Sequence, residues 1–207
     1  MKIGRKYKIA SLSAGLALTA LPFGGWVAAA LAAGAGYIIG DTQFSKDKKP
    51  WRNLDELLHE KEHSRLEFKE ALPQEKTGRS RFDGIIKSVI GFANTDGGEI
   101  LLGVSDNGRI TGINNLIDQY KNRDKFELAL REALRSNIDA PVDKIYRIKF
   151  EMVDKRVILR VDVEKVGYQV FTKQKGECYI REGNLTRALT PKEVSNRRDK
   201  MVGPYNH

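Results

Sequence analysis

Residues 9–40, IASLSAGLALTALPFGGWVAAALAAGAGYIIG, hold no charged side chain in 32 positions. About 20 apolar residues in a helix already cross the hydrocarbon core of a bilayer. A buried core helix does not need so long an uncharged run, so the tract is expected to insert in a membrane. A cleaved signal peptide competes with this reading. MKIGRKYK supplies a basic leader and AAALAAGAG small residues for cleavage. The apolar stretch of a signal peptide, however, is about 7–15 residues long.

Pro22, Gly24 and Gly25 interrupt the tract near its middle. Proline removes a helical hydrogen bond and clashes with the preceding turn. Two arrangements stay open: one kinked, tilted span, or a hairpin of arms 9–21 and 26–39, each about 20 Å long at 1.5 Å per residue. Gly36 and Gly40, with Ser11 and Gly15, would allow close helix packing. Lys2, Arg5, Lys6 and Lys8 precede the tract, and Lys46, Lys48, Lys49 and Arg52 follow it. Positive flanks mark the cytoplasmic side, so the remainder of the chain is expected in the cytoplasm. The expected organisation is a membrane segment at 1–40, a linker at 41–53, a domain at 54–200 and a tail at 201–207.

Charge follows the same division. The formal net charge is +9, but seven Lys/Arg and two Asp/Glu lie in the first 49 residues. The other 158 residues keep 29 basic and 25 acidic side chains, a net +4. The high isoelectric point therefore reports membrane flanks as much as a surface for nucleic acid. Cys178 is the single cysteine. It leaves no intramolecular disulfide framework and no cysteine-rich zinc module.

Beyond the linker the pattern is α+β. A short charged helix is expected over 54–62 and a strand over 64–69. Ser80 with Asp83 forms a capping-box pattern ahead of Phe82, Ile85, Ile86, Val89 and Ala93, which share one helical face. NTDGG, residues 94–98, ends that helix, since glycine takes the left-handed conformation. A strand EILLGV follows, then SDNGR and ITGI, and Asn107-Gly108 between apolar runs is a hairpin signal. Residues 118–137 read as one amphipathic helix with Phe126, Leu130 and Leu134 in a stripe. Tyr146, Ile148, Phe150 and Met152 alternate with Arg147, Lys149 and Glu151. Val157, Leu159, Val161 and Val163 alternate with Ile158, Arg160 and Asp162. These are two strands joined by the tetrad 153–156. QVFT and ECYIRE read as two more strands. Thr190-Pro191-Lys192-Glu193 opens a last helix. The expected architecture is a mixed, largely antiparallel sheet of about six strands with packed helices.

Two patterns overlap in HEKEHSRLEFKE, residues 59–70. His59, Glu60 and His63 spell H-E-x-x-H, which binds zinc when one helix presents both histidines and a third ligand lies downstream. Here the motif is crowded with charge and runs into a strand. The only later histidine is His207, although a carboxylate could serve as third ligand. A zinc protease is thus the remote reading. Gly103 to Gly108 lacks the Lys-Ser/Thr of a phosphate-binding loop, so nucleotide hydrolysis has no sequence support.

Three segments in order, EHSRLEFKE, FDGIIKSVIGFANTDGGEILLGVSDNGRITGI and CYIREGNLTRAL, resemble the Schlafen AlbA_2 domain, often called a DNA-binding domain, over about residues 54–190. In ribonuclease members of that family the active site resembles E-x-x-x-x-E-F-K plus an Asp after the G-V strand. The resemblance implies Glu62, Glu67 and Asp106 here as catalytic and metal-binding, with Mg²⁺ or Mn²⁺ as cofactor. Converging carboxylates repel one another unless a hard cation lies between them. Such a cation polarises a phosphate and activates water. Lys69 would stabilise developing charge. Candidate phosphate contacts on RNA or DNA are Lys76, Arg79 and Arg81, then Arg181 and Arg187, then Arg197, Arg198 and Lys200. The ribonucleases pair two such lobes, so a single-lobed chain would need a homodimer to form a groove. The functional expectation is a membrane-anchored nucleic-acid-binding protein, with metal-dependent RNA cleavage as its enzymatic form. The alternative is a non-catalytic module that recruits a partner to the membrane.

Overall fold

The alternating pair of segments at 146–163 folds as the sequence expects. In the computed structural model, which describes residues 49–73 and 80–202 with side chains as far as Arg198, they form β3 (Tyr146–Val153) and β4 (Arg156–Val163). Tyr146 faces Val163, Ile148 faces Val161 and Phe150 faces Leu159. Asp154 and Lys155 both have positive φ, 48° and 64°, which matches a tight turn to the right-handed twist of the strands. The membrane tract at 9–40 lies outside the described residues. Among the described residues no helix is long and apolar enough to cross a membrane.

β2 (Gly98–Leu102) pairs antiparallel with β4, and β1 (Leu66–Lys69) pairs parallel with β2, giving the order β1-β2-β4-β3. A parallel pair needs a crossover, and α2 (Asp83–Ala93) provides it. α2 packs Ile85, Ile86, Val89 and Ile90 on one face of the sheet, with Phe126, Leu130 and Leu134 of α4 (Arg123–Asn137). On the other face α1 (Leu54–His59) brings Leu57 to a smaller cluster with Leu66, Phe68, Leu101 and Ile158. Every residue of β2 is buried, because both its faces are covered. β5 (Tyr179–Glu182) and β6 (Leu185–Ala188) form a separate hairpin against α2, and α5 (Pro191–Val202) closes the described chain. A Cβ on Gly91 would come within 3.1 Å of Thr186, which shows how closely that hairpin approaches.

Several expectations need correction. The sheet has four strands, not about six, and the other two stand apart. β6 has no counterpart in the sequence pattern, and QVFT contributes only isolated bridges at Phe171 and Thr172. ITGI is not a strand: Val104 and Ile110 make one bridge and the chain turns away to α3 (Asn114–Gln119). α2 starts at Asp83 rather than directly after Ser80. Ser80 instead makes a turn, its carbonyl accepting from Asp83 N at 3.1 Å. Phe82 is 5% exposed and packs 6.0 Å from the Phe126 ring. Burying an aromatic ring is worth about 1.5–3 kcal/mol, against about 1 for a serine cap. The single helix at 118–137 is two. Lys121 (φ 74°) breaks it, and Asn122 caps α4 by accepting from Lys125 N at 2.8 Å.

Candidate functional site

β1 lies at the edge of the sheet, and its alternation sends Leu66 and Phe68 under α1, leaving Glu67 and Lys69 on the α2 side. Glu67 is half-buried. It accepts from Lys69 Nζ at 2.6 Å and is ion-paired with Arg181. Arg181 is 3% exposed. Its guanidinium also donates to the carbonyls of Leu66 (3.1 Å) and His63 (3.2 Å) and to Thr186 Oγ1 (3.1 Å). Glu62 Oε1 accepts from Phe68 N at 2.7 Å. The free edge of β1 is thus satisfied by side chains rather than left open to another strand. Arg181, a phosphate contact in the sequence-based expectation, is instead a buried staple joining β5 to β1.

Asp106 is exposed in the turn 105–109, which is pressed against α1: a Cβ on Gly108 would collide with the Leu58 carbonyl oxygen. β1 and β2 do pair, Glu67 standing opposite Ile100 in the register. Yet among the described residues no three His, Cys, Asp or Glu side chains are grouped to hold a metal ion. Glu67 is already neutralised by two cations, and Glu62 is occupied by backbone. As placed, Glu62, Glu67 and Asp106 do not fit a metal. The zinc motif does not fit either. α1 ends at His59, so His63 is not on the same helix. His63 Nε2 lies 3.0 Å from Glu60 Oε2, and this contact, more than the one from Arg52, holds the Glu60 carboxyl below its usual range.

The other expected cations divide. Lys76 and Arg79 lie outside the described residues, as does the Lys200 side chain. Arg187 is held by Glu182 (2.8 Å) and Glu193 (2.8 Å), and Arg197 donates to the Asn94 carbonyl at 2.8 Å. These bonds tie down β6 and α5 and leave little for a phosphate. Arg198 is exposed. The Arg187 guanidinium, then Thr190, hold the Glu193 carboxyl down to about 2 from 4.5. A depressed carboxyl stabilises the fold above its unfolded value and loses that contribution as pH falls toward the folded one. Pepsin cleavage within α5 should therefore rise between pH 4.5 and 2 relative to cleavage within α2. Parallel cleavage of both helices would remove this anchoring role.

Arg81 donates to Gln119 Oε1 at 2.9 Å and lies 5.9 Å over the Tyr120 ring. Tyr120 leads through Phe126 (5.4 Å) to Phe150 (6.3 Å), and Arg123 sits 5.4 Å over Phe150. Tyr120 and Phe150 are half-buried, and Lys121 projects from the break between α3 and α4. Arg81, in this corner of two cation-topped rings, follows in the chain residues 74–79, which lie outside the described residues. Tyr120, Lys121 and Arg123 escaped the sequence reading because the helix break escaped it. Asn122 followed by Asp124 was the available signal.

The signature FANTDGG is architectural. Asn94 is 3% exposed; its amide donates to Val170 O and Tyr179 O at 2.9 Å and accepts from Val170 N at 2.8 Å. Thr95 Oγ1 accepts from Arg181 N at 3.0 Å. Gly97 has φ 69°, and a Cβ there would lie 2.7 Å from Val163 O.

The second face of the sheet carries a charge network beyond α1. Arg160, 1% exposed, donates to Glu99 (2.5 Å), Glu151 (2.8 Å) and the Arg52 carbonyl (2.8 Å). Burial pushes the Glu99 carboxyl up although Arg160 opposes it. Arg147 pairs with Asp162 at 2.7 Å, and the Trp51 ring stacks 4.3 Å from Arg147 and 5.1 Å from Arg160. Beside it a cleft of about 530 Å³ opens at the starts of β1 and β2.

A family model described as Schlafen, AlbA_2 matches residues 62–190. No curated protein matches the chain. Among solved structures, the DIP2311 protein from Corynebacterium diphtheriae aligns at 19% identity and a TM-score of 0.47, over 68% of this chain and 28% of its own. The N-terminal domain of a putative ATP-dependent DNA helicase RecG-related protein from Nitrosomonas europaea aligns at 23% identity and a TM-score of 0.43. That match covers 74% of this chain and 94% of that one. The chain thus spans little more than a quarter of the length of the Corynebacterium protein.

Proposed function

The chain belongs to the Schlafen AlbA_2 family, and on that premise we propose that it binds single-stranded nucleic acid at the corner formed by Arg81, Tyr120, Lys121 and Arg123. The family resemblance supplies the class of partner. The observation that carries the location is the pair of half-buried rings topped by guanidinium groups. Partly exposed rings stack bases without regard to sequence, and the cations above and beside them follow the phosphates. In this proposal residues 9–40 anchor the protein in a membrane, with the domain on the cytoplasmic side.

Arg81→Ala, Lys121→Ala and Arg123→Ala should each weaken binding of a labelled oligonucleotide. Each should also reduce the slope of log affinity against log salt by about 0.7 for every phosphate the protein no longer neutralises. Arg187→Ala should leave that slope unchanged, because its charge is already paired. Unaltered affinity and slope in the corner variants would favour the partner-recruiting module instead. Cleavage is not attached to this proposal, since Glu67 would first have to exchange Arg181 and Lys69 for a metal. Product formed in the same assay with Mg²⁺ or Mn²⁺, and lost in Asp106→Asn, whose side chain is exposed, would restore the ribonuclease reading.

A further inference from the structure

We infer that the cleft at the starts of β1 and β2 docks on anionic phospholipid headgroups; the inference rests on the insertion of residues 9–40 in a membrane. One wall is Lys49, Pro50 and Arg52, a strap laid across the polar face of the sheet. The strap is fixed: Arg160 donates to the Arg52 carbonyl at 2.8 Å, Trp51 stacks on Arg147, and Arg52 is ion-paired with Glu60. Only residues 41–48 separate it from the charge-free tract. At most about 3.6 Å per residue, Lys49 stays within about 30 Å of the end of that tract. On the premise of insertion, the covalent chain brings Lys49 within that reach of the bilayer.

Its charge suits that surface. The lining cations are Lys49, Arg52, Arg65, Arg147 and Lys165; the lining anions are Asp96, Glu99, Asp162 and Glu164. Glu164 is itself engaged, and two more of the anions are answered from within the fold. Glu99 is taken by Arg160, and Asp162 by Arg147. Asp96 holds Lys165 at 3.1 Å, with both side chains more than half exposed, a pair that water and salt loosen. Lys49 and Arg65 are exposed and have no acidic partner among the described residues. The volume of about 530 Å³ lies in the range that accepts a ligand the size of a headgroup. Juxtamembrane cations are drawn to the anionic leaflet. The proposed nucleic-acid corner includes Phe150, four residues along β3 from Tyr146, which pairs with the cleft residue Val163.

The full chain should be reconstituted into vesicles of phosphatidylcholine alone or mixed with phosphatidylglycerol. Hydrogen exchange is then followed at residues 49–52 and 97–99. Phosphatidylglycerol should slow exchange at both segments. Arg65→Gln and Lys165→Gln should each lower the ratio of docked to undocked protein about fivefold. Equal exchange in both lipids, with the chain retained through an alkaline wash, overturns headgroup docking and leaves insertion standing. Slowed exchange in a chain that the wash removes supports docking and overturns insertion. If the two variants weaken oligonucleotide binding and leave the lipid effect untouched, the cleft belongs to nucleic acid and the inference falls.

Discussion

Arg181→Met should cost about 3–5 kcal/mol of stability, a large share of a domain total of about 5–15. The cost has three sources. Glu67 loses its buried counter-charge and keeps only Lys69. The carbonyls of His63 and Leu66 lose donors at the edge of β1. Thr186 loses the bond that ties β6 to the same group. Urea denaturation followed by circular dichroism measures the effect. Glu67→Gln is the informative companion. A glutamate kept for chemistry could be replaced without harming the fold. Here it leaves Arg181 partly uncompensated, and a loss of about 1–3 kcal/mol is expected. Wild-type stability in both variants would show that the Glu67–Arg181 pair does not hold β5 to β1.

That pair marks where the sequence stopped being legible. Short-range signals carried well. Alternation specifies β3 and β4 with their facing, and the Thr190–Glu193 capping box stands, Thr190 N donating to Glu193 at 2.8 Å. Long-range pairing did not carry. Nothing local in YIRE tells that Arg181 turns inward, because Glu67, Leu66 and His63, which receive most of its bonds, stand far earlier in the chain, on and beside β1. Arginine reads as surface since buried arginine is rare unless paired, and the pair is visible only in the fold. The same applies to Glu99, which sits in a strand buried on both faces and reads locally as an edge of the apolar run EILL. The helix break at Lys121 failed for a different reason. The stripe of Phe126, Leu130 and Leu134 is strong enough to extend the helix backward over a capping asparagine.

Arg160→Met should be the second large loss, again about 3–5 kcal/mol, and its pH dependence identifies the cause. Arg160 answers two carboxylates. Glu151 keeps Lys149 at 2.6 Å when the arginine goes, whereas Glu99 keeps nothing comparable. Burial already raises the Glu99 carboxyl, and without Arg160 it rises further, so Glu99 folds most readily as the neutral acid. A carboxyl raised in the folded state binds its proton more tightly there than in the unfolded chain. Stability then falls as pH climbs from the unfolded value of 4.5 through the raised one. The variant should thus be least impaired in acid and lose ground toward neutral pH, relative to wild type. Glu99→Gln added to Arg160→Met should recover most of the neutral-pH loss, because an amide leaves no buried charge to answer. It should not recover the strap, since the Arg52 carbonyl still lacks its donor and Trp51 has lost one of its stacked cations. Exchange at residues 49–52 should stay fast in the double variant even where global stability returns. A double variant as unstable as the single one would place the cost in lost packing around the Arg160 side chain rather than in the orphaned carboxylate.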